Sequence, residues 1–272
     1  MAADRRVFLA ALAAVAAAVA AATFGARFRP GGVRGRLPPA PAPLAERLIV
    51  IGDSYSQTAS GKHNYPKWSK QLVTAGYAGS LTDLARGGMT AGDAGRPGLS
   101  TYCFRSAVDS LAAKTPVLGA GDVVVVYLGH LDLMAYKTPE YVDLARSKAD
   151  YERELDRLLA MWPAGTRRRV ILVKPHDRGW NRKDRPIVRP RTVEWNAWLA
   201  GMAAARPGVT TADVFAVVDQ LLANPVAYGI EELKKRDPER SLTTWLMFDA
   251  SHFGGRGQEI IATVVAAALS KA

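Results

Sequence analysis

Two short segments near opposite ends of the chain carry side chains that could perform nucleophilic chemistry together. Ser54 directly follows the apolar run 48–51, in the order Gly-Asp-Ser, and Asp249 and His252 precede the last helical pattern. A serine becomes a good nucleophile when a histidine takes its proton and a carboxylate orients that histidine. Each segment alone is typical of a turn or a helix cap. Together they predict acyl transfer at Ser54, with His252 as base and Asp249 as the residue that orients it.

These segments need a scaffold that brings distant elements together, and the rest of the sequence predicts one. From Arg47 onward short apolar runs alternate with helical patterns, which is typical of an α/β fold with a parallel sheet. In such sheets, sites form beyond the carboxyl ends of the strands. Strands are expected at 48–51, 81–85, 123–128, 170–173 and 209–215, and helices at 68–75, 151–162, 193–205 and 258–269.

Length and composition favour a single globular domain after the N-terminal region. A chain of 272 residues can bury the core of one α/β domain, and its hydrophobic fraction is 49%. Cys103 is the single cysteine, which excludes an intrachain disulfide. No metal-ligand spacing is apparent, so neither a metal nor a cofactor is expected. His63 and His176 are expected to be ordinary polar or loop residues, although His176 follows the fourth strand and could line the cleft.

The first 28 residues have the pattern of a targeting segment. Arg5 and Arg6 precede an Ala-rich apolar run, Val7–Phe24. A basic start followed by an apolar stretch that ends in small residues favours a cleaved signal peptide, with twin-arginine character. An uncleaved membrane anchor is the main alternative, because the run nearly reaches the length of a span, and a short Ala helix is the remaining one. Residues 29–46 are expected to be a Pro/Gly-rich linker and 47–272 the domain, secreted or membrane-anchored outside the cytoplasm.

Positive charge is concentrated in one segment of the domain. The net charge is +11 at pH 7, and residues 167–191 hold ten Lys and Arg side chains against two Asp. This segment includes the end of the fourth strand, so it is expected near the cleft. A solvated loop is the commoner interpretation, and a rim that attracts an anionic polysaccharide or lipid headgroup is the alternative. A nucleic-acid partner is not expected, because the fold signature and interleaved aromatics of such binders are absent.

Several sequence blocks resemble those of the SGNH, or GDSL, hydrolases. Residues 52–55 are similar to the first block of that family and residues 84–90 to the second. Residues 213–215 and 224–229 resemble the Asp-Val-Tyr and Asn-Pro-x-x-Tyr-Gly patterns of its carbohydrate-esterase and lipase-like branches. Residues 249–262 resemble the last block, so the resemblance extends from the first predicted strand to the C-terminus.

The resemblance implies a fold, an activity and a set of site residues. It implies a three-layer α/β/α sandwich with a parallel, flavodoxin-like sheet. It also implies an esterase for acetyl or other short acyl groups on a carbohydrate or lipid, with a small-molecule or polysaccharide substrate. Ser54, Asp249 and His252 would be catalytic, and the backbone N–H groups of Ser54 and Gly88 would form the oxyanion hole. Residues assigned to the substrate cleft are Asp53, Gly87, Gly129, His130, Leu131 and Asp132.

Leu131 departs from the family pattern. The third block is usually Gly-x-Asn-Asp, whose Asn completes the oxyanion hole, and here it reads Gly-His-Leu-Asp over residues 129–132. Leu131 has no donor, and the neighbouring His130 is expected to point elsewhere. Losing one donor of such a hole costs about 3–4 kcal/mol of transition-state stabilisation.

Three consequences of that departure remain open: another donor fills the hole, the enzyme is slow, or the chain is a non-catalytic carbohydrate-binding descendant. An O-acyltransferase with the same three catalytic residues is a further alternative. Hydrolysis is the expectation, because nucleophile, base and orienting residue are all present. Leu131 is expected at the end of the third strand, close to Ser54 and the turn at Gly87 and Gly88.

Overall fold

The computed structural model describes residues 37–57, 66–93, 101–135, 137, 141–177, 185–223 and 252–272. The strands in these residues are β1 (Ala45–Gly52), β2 (Ala78–Asp83), β3 (Asp122–Tyr127), β4 (Val170–Val173) and β5 (Val209–Ala212). The helices are α1 (Trp68–Thr74), α2 (Phe104–Lys114), α3 (His130–Met134), α4 (Ala145–Leu159), α5 (Arg185–Ala204), α6 (Val214–Ala223) and α7 (Gly255–Leu269).

The five strands form one parallel sheet in the order β2-β1-β3-β4-β5. This is the order of flavodoxin-like doubly wound sheets, so the predicted fold class is confirmed. The chain moves from β1 to β2 on one side and then crosses to β3 on the other side of β1. The carboxyl end of β1 is therefore the topological switch point, where ligands bind in such sheets.

Two separate cores cover the two faces of the sheet. Successive strand residues point to opposite faces. Leu48 and Val50 therefore belong to a core completed by α1, α6 and α7, whereas Ile49 and Ile51 belong to one completed by α2, α3, α4 and α5. A strand buried on both faces must be apolar throughout, which explains the continuous apolar runs in the sequence. The three layers hold the carboxyl ends of the strands in fixed relative positions.

The structure corrects several predicted elements. Helices α2, α3 and α6 were not predicted, and α4, α5 and α7 begin earlier than expected; α5 continues through Pro190. The fifth strand ends at Ala212, because the apolar residues that follow it begin α6 instead. Asp213 Oδ1 accepts a hydrogen bond from the Ala216 N–H at 2.9 Å, which is the geometry of a helix N-cap. Periodicity alone does not distinguish a short apolar strand from a buried helix.

The predicted leader and residues 29–36 of the predicted linker lie outside the described residues, which begin at residue 37. The rest of the linker is described, and its last two residues, 45 and 46, belong to β1, so the domain begins earlier than the predicted boundary at residue 47. Within the part of the chain that the structure describes, no helix is both long enough and apolar enough to cross a membrane.

The turn that joins β3 to α3 depends on a glycine, and its replacement is a first prediction. Gly129 has φ +118°, and a Cβ there would lie 2.7 Å from Nε1 of the fully buried Trp195. Gly129→Ala should lose about 1–2 kcal/mol from the left-handed backbone and a further ~1–3 kcal/mol from displacing the core. Gly165 is the matched control, because it has φ +80° but no atom within 4 Å of an added Cβ. Urea unfolding should show a clearly larger loss for Gly129→Ala; equal losses would contradict the proposed contact with Trp195.

Candidate active site

The structure brings Ser54 and His252 together at the switch point. Ser54 is half-buried in the turn after β1, and His252 lies three residues before α7. Ser54 Oγ and His252 Nε2 are 2.8 Å apart, which is hydrogen-bonding distance. A neutral imidazole with this nitrogen unprotonated accepts the serine proton. Asp249, the predicted orienting residue, lies outside the described residues, so its role stays a prediction.

The nucleophile turn, residues 53–57, is held by its own hydrogen bonds. The N–H groups of Ser56 and Gln57 both donate to the Asp53 carbonyl at 3.0 Å. The Asp53 carboxylate accepts the Tyr55 N–H through Oδ1 at 2.9 Å. Ser54 is thereby fixed on a tight turn with its side chain directed at His252.

Two further features define how this turn leaves the strand. A Cβ on Gly52 would lie 2.6 Å from Ser56 Oγ, so a larger residue at position 52 would displace the turn. Among the described residues, the first helix after the turn is α1, which begins at Trp68.

The turn at Gly87 and Gly88 lies against Ser54, as the hole prediction requires. The Leu84 and Arg86 N–H groups donate to carbonyl oxygens of β1. These two hydrogen bonds hold the segment that follows β2 beside the nucleophile turn. A Cβ on Gly87 would lie 4.0 Å from Ser54 Cβ. Gly88 has φ +84°, and no described residue accepts a hydrogen bond from its N–H or from that of Ser54. Both predicted hole donors are therefore without an acceptor within the part of the chain that the structure describes.

Leu131 and Asp132 lie on the short helix α3, beyond the end of β3. Leu131 is half-buried and contributes no donor. Asp132 is fully buried, and its carboxylate accepts the N–H groups of Ala91 at 2.8 Å and Gly92 at 3.0 Å. Burial raises the pKa of the Asp132 carboxyl, and these two hydrogen bonds partly oppose that rise. Asp132 was assigned to the substrate cleft, but its contacts instead tie α3 to the loop after β2.

A buried polar network lies beneath the nucleophile turn. His130 Nδ1 is 3.0 Å from Asp53 Oδ2, and its Nε2 is 3.1 Å from His176 Nδ1. Tyr127 Oη is 3.1 Å from the same His176 nitrogen, and the Tyr55 ring packs on His130 at 4.2 Å between centroids. His130 thus points away from the hole, as expected. The importance of His176 was missed, and its position directly after β4 was the only signal for it.

The hydrogen bonds of this network determine where its protons lie. The Asp53 carboxylate accepts from His130 Nδ1, and one proton must lie between the two facing imidazole nitrogens. Burial, and then the nearby Asp53 charge, raise the pKa of Tyr127 well above its usual range, so its hydroxyl stays protonated. The network therefore fixes the Asp53 carboxylate, and with it the turn that carries Ser54. Among the described residues no group of three or more His, Cys, Asp or Glu is arranged to hold a metal ion.

A cation that sequence reasoning missed also contacts the turn. Lys67, just before α1, is almost completely buried, and its Nζ lies 3.3 Å from the Ser54 carbonyl oxygen. A lysine one residue before a helix has no sequence signature that distinguishes it from a surface residue. The contact holds the main chain of the nucleophile in place.

The basic segment does not form one rim at the cleft. Arg167 and Arg169 precede β4 and lie at the amino edge of the sheet, opposite Ser54. Near the carboxyl edge, Lys174 pairs with Asp213 at 2.8 Å, and Arg191 donates to backbone carbonyls that include that of Leu133. Three of the ten cations (178, 182 and 183) lie outside the described residues. The described part of the segment mainly serves packing and ion pairing.

Comparison with known proteins places this site in a family. The sequence model of the GDSL-like lipase/acylhydrolase family matches residues 50–260. Among solved structures, the α/β hydrolase LAE5 from the Lake Arreo metagenome has a TM-score of 0.53 at 22% identity, covering 84% of this chain and 96% of LAE5. A variant of the acetyl xylan esterase Axe2 from Geobacillus stearothermophilus has a TM-score of 0.55 at 15% identity, with the same coverages. These identities show a shared fold. No curated protein sequence matches the chain significantly.

The contacts of Asp132 give a second prediction. In Asp132→Asn the new NH₂ group would face a backbone N–H donor, so one of the two hydrogen bonds is replaced by repulsion between donors. The expected loss is about 1–3 kcal/mol of unfolding free energy, the cost of an unsatisfied buried group. Asp109→Asn is the control, because the Asp109 side chain is 53% exposed and forms a surface ion pair with Arg157. Urea unfolding should show a loss well below 1 kcal/mol for the control. A similarly small loss for Asp132→Asn would contradict the structural role.

Proposed function

The chain belongs to the GDSL-like lipase/acylhydrolase family and is an ester-bond hydrolase; on that premise we propose that it is a serine esterase acting on acetyl or other short acyl esters of a carbohydrate or lipid. The observation that carries this proposal is the 2.8 Å contact between Ser54 Oγ and His252 Nε2 at the switch point of the sheet. The predicted hole donors at Ser54 and Gly88 support it, since both N–H groups are without a described acceptor.

The proposed reaction follows from these positions. Ser54 Oγ attacks the acyl carbon while His252 Nε2 takes the hydroxyl proton, and the carbonyl oxygen becomes an oxyanion facing the N–H groups of Ser54 and Gly88. His252 then gives its proton to the leaving alcohol, which leaves the acyl group on Ser54. Water attacks this ester with His252 as base, and the carboxylic acid departs. Asp249 would orient the imidazole and stabilise its charged form.

Three observations support a short acyl group on a carbohydrate or lipid. The Gly87 main chain closely approaches Ser54, so the space beside the nucleophile on that side is narrow. Residues 213–215 and 224–229 resemble patterns of carbohydrate-esterase and lipase-like branches. The acetyl xylan esterase Axe2, which shares the fold, acts on a substrate of this class by its name.

The proposed catalytic roles of Ser54, His252 and Asp249 are tested with p-nitrophenyl acetate as the substrate. Ser54→Ala and His252→Ala should each lower kcat by at least about a thousandfold, because neither the nucleophile nor its base is replaceable. Asp249→Ala should retain more activity, since orientation is partly redundant. Ser80→Ala is the matched serine control, because its hydroxyl is exposed and, among the described residues, donates only to the Glu46 carbonyl; it should keep wild-type kinetics. Hydrolysis by Ser54→Ala at the wild-type rate would refute the mechanism.

We also propose that the domain acts outside the cytoplasm. The support is the sequence of residues 1–28, with Arg5 and Arg6 before the apolar run. Expression of the full chain in a bacterial host, followed by fractionation and intact-mass measurement, should give either a mature chain shortened beyond Phe24 or an intact chain in the membrane fraction. An intact chain that remains soluble in the cytoplasm would contradict both forms of the proposal.

A further inference from the structure

The proposed reaction gives no role to Gln57, a polar side chain beside the nucleophile. Gln57 lies three residues after Ser54, and its Oε1 accepts the Gly87 N–H at 2.8 Å. We propose that Gln57 is a catalytic residue whose Nε2 group donates to the oxyanion, the place that Leu131 cannot fill. This inference rests on the esterase function proposed above.

The Gly87 contact fixes which way the Gln57 amide is turned. A backbone N–H can only donate, so the amide atom that faces it must be the oxygen. The NH₂ group consequently occupies the other branch of the amide. No described residue accepts a hydrogen bond from Gln57 Nε2. The side chain therefore presents an oriented donor that is available to a ligand.

The amide and the nucleophile border the same glycine. A Cβ on Gly87 would lie 2.9 Å from Gln57 Oε1 and 4.0 Å from Ser54 Cβ. The next residue, Gly88, carries the predicted backbone donor of the hole. The Gln57 NH₂ group, which has no acceptor among the described residues, is therefore carried on an amide held beside the turn that bears the predicted backbone donor.

Rigidity makes this donor effective. The Gln57 N–H also donates to the Asp53 carbonyl at 3.0 Å, so both the main chain and the amide of Gln57 are held before substrate arrives. Donors that are already oriented need no reorganisation when charge develops, which is the main advantage of an oxyanion hole. A neutral amide also remains a donor throughout the pH range in which His252 can act as a base. Its contribution should therefore appear mainly in kcat, since the negative charge exists only near the transition state.

The experiment separates donation to the oxyanion from support of the Gly87 turn. Gln57→Glu keeps an oxygen for the Gly87 N–H in a side chain of the same size, but replaces the NH₂ donor with a second oxygen. Gln57→Ala removes both functions. Kinetics on p-nitrophenyl acetate are measured for both variants, for Leu131→Asn and for the double variant Gln57→Ala/Leu131→Asn. Gln71→Ala is the control, because Gln71 lies on α1 and its amide donates to the exposed Pro66 carbonyl.

We expect Gln57→Ala and Gln57→Glu each to lower kcat by roughly 10²–10³-fold, the effect of removing one hole donor, with KM changed far less. Leu131→Asn alone should raise kcat little, because the hole is already complete, but it should restore much of the activity lost in Gln57→Ala. Gln71→Ala should behave as wild type. If Gln57 served only to support the Gly87 turn, the amide introduced by Leu131→Asn would not restore the activity lost in Gln57→Ala.

Two results would overturn the inference in distinguishable ways. Near wild-type kcat in Gln57→Glu would show that only the Gly87 contact matters, while the esterase function would stand. A large gain in Leu131→Asn alone would show that the wild-type hole lacks a side-chain donor. If the wild-type protein shows no Ser54-dependent hydrolysis, the proposed function itself fails, and this inference fails with it.

Discussion

The hydrogen bond between Ser54 and His252 joins two residues 198 positions apart, and the rest of the fold determines its length. The nucleophile is placed by β1, which is paired on both sides. The base is placed by α7, which packs on the same sheet face as α1. Gln258 on α7 accepts the Trp68 N–H of α1 at 3.0 Å, with both residues fully buried. A shift of α7 would thus disturb a buried hydrogen bond and an apolar core before it moved His252 away from Ser54.

A second set of contacts prevents the loops at the carboxyl edge from moving independently. Asp53 after β1 bonds to His130 after β3, which in turn bonds to His176 after β4. Asp132 on α3 bonds to the loop after β2. Each of these groups is buried, and a buried polar group that loses its partner costs about 1–3 kcal/mol. Four loops from four adjacent strands therefore behave as one unit, which gives the reactive groups the fixed positions that an esterase needs.

Much of the architecture could be predicted from the sequence, because burial on both faces forces parallel strands such as β3 and β4 to be apolar throughout. The block Gly-Asp-Ser after the first strand and the distant His252 before the last helix were informative together, because a serine and a histidine in these positions suit nucleophilic acyl transfer. The predicted end of the fifth strand was wrong, because the apolar residues after Ala212 suit a strand and a helix equally well. The N-cap contact of Asp213 shows that they begin a helix. The helices α2, α3 and α6 were missed altogether.

The site was predicted less completely than the fold. The roles of His176, Lys67 and Gln57 depend on contacts between loops that sequence spacing does not encode. His176 was treated as an ordinary residue because its partners, His130 and Tyr127, come from β3 and the turn after it rather than from its own strand. Gln57 was not singled out, because an amide near a serine becomes meaningful only when the Gly87 N–H fixes its orientation.

The most direct test of the central claim is the covalent reaction of the folded protein with a fluorophosphonate, followed by peptide mass spectrometry. Such reagents phosphonylate a serine that a neighbouring base activates. The account predicts one adduct, on Ser54, formed rapidly in wild type and at least about a hundredfold more slowly in His252→Ala. An adduct on a different serine, no adduct, or equal labelling rates in the two proteins would contradict activation of Ser54 by His252.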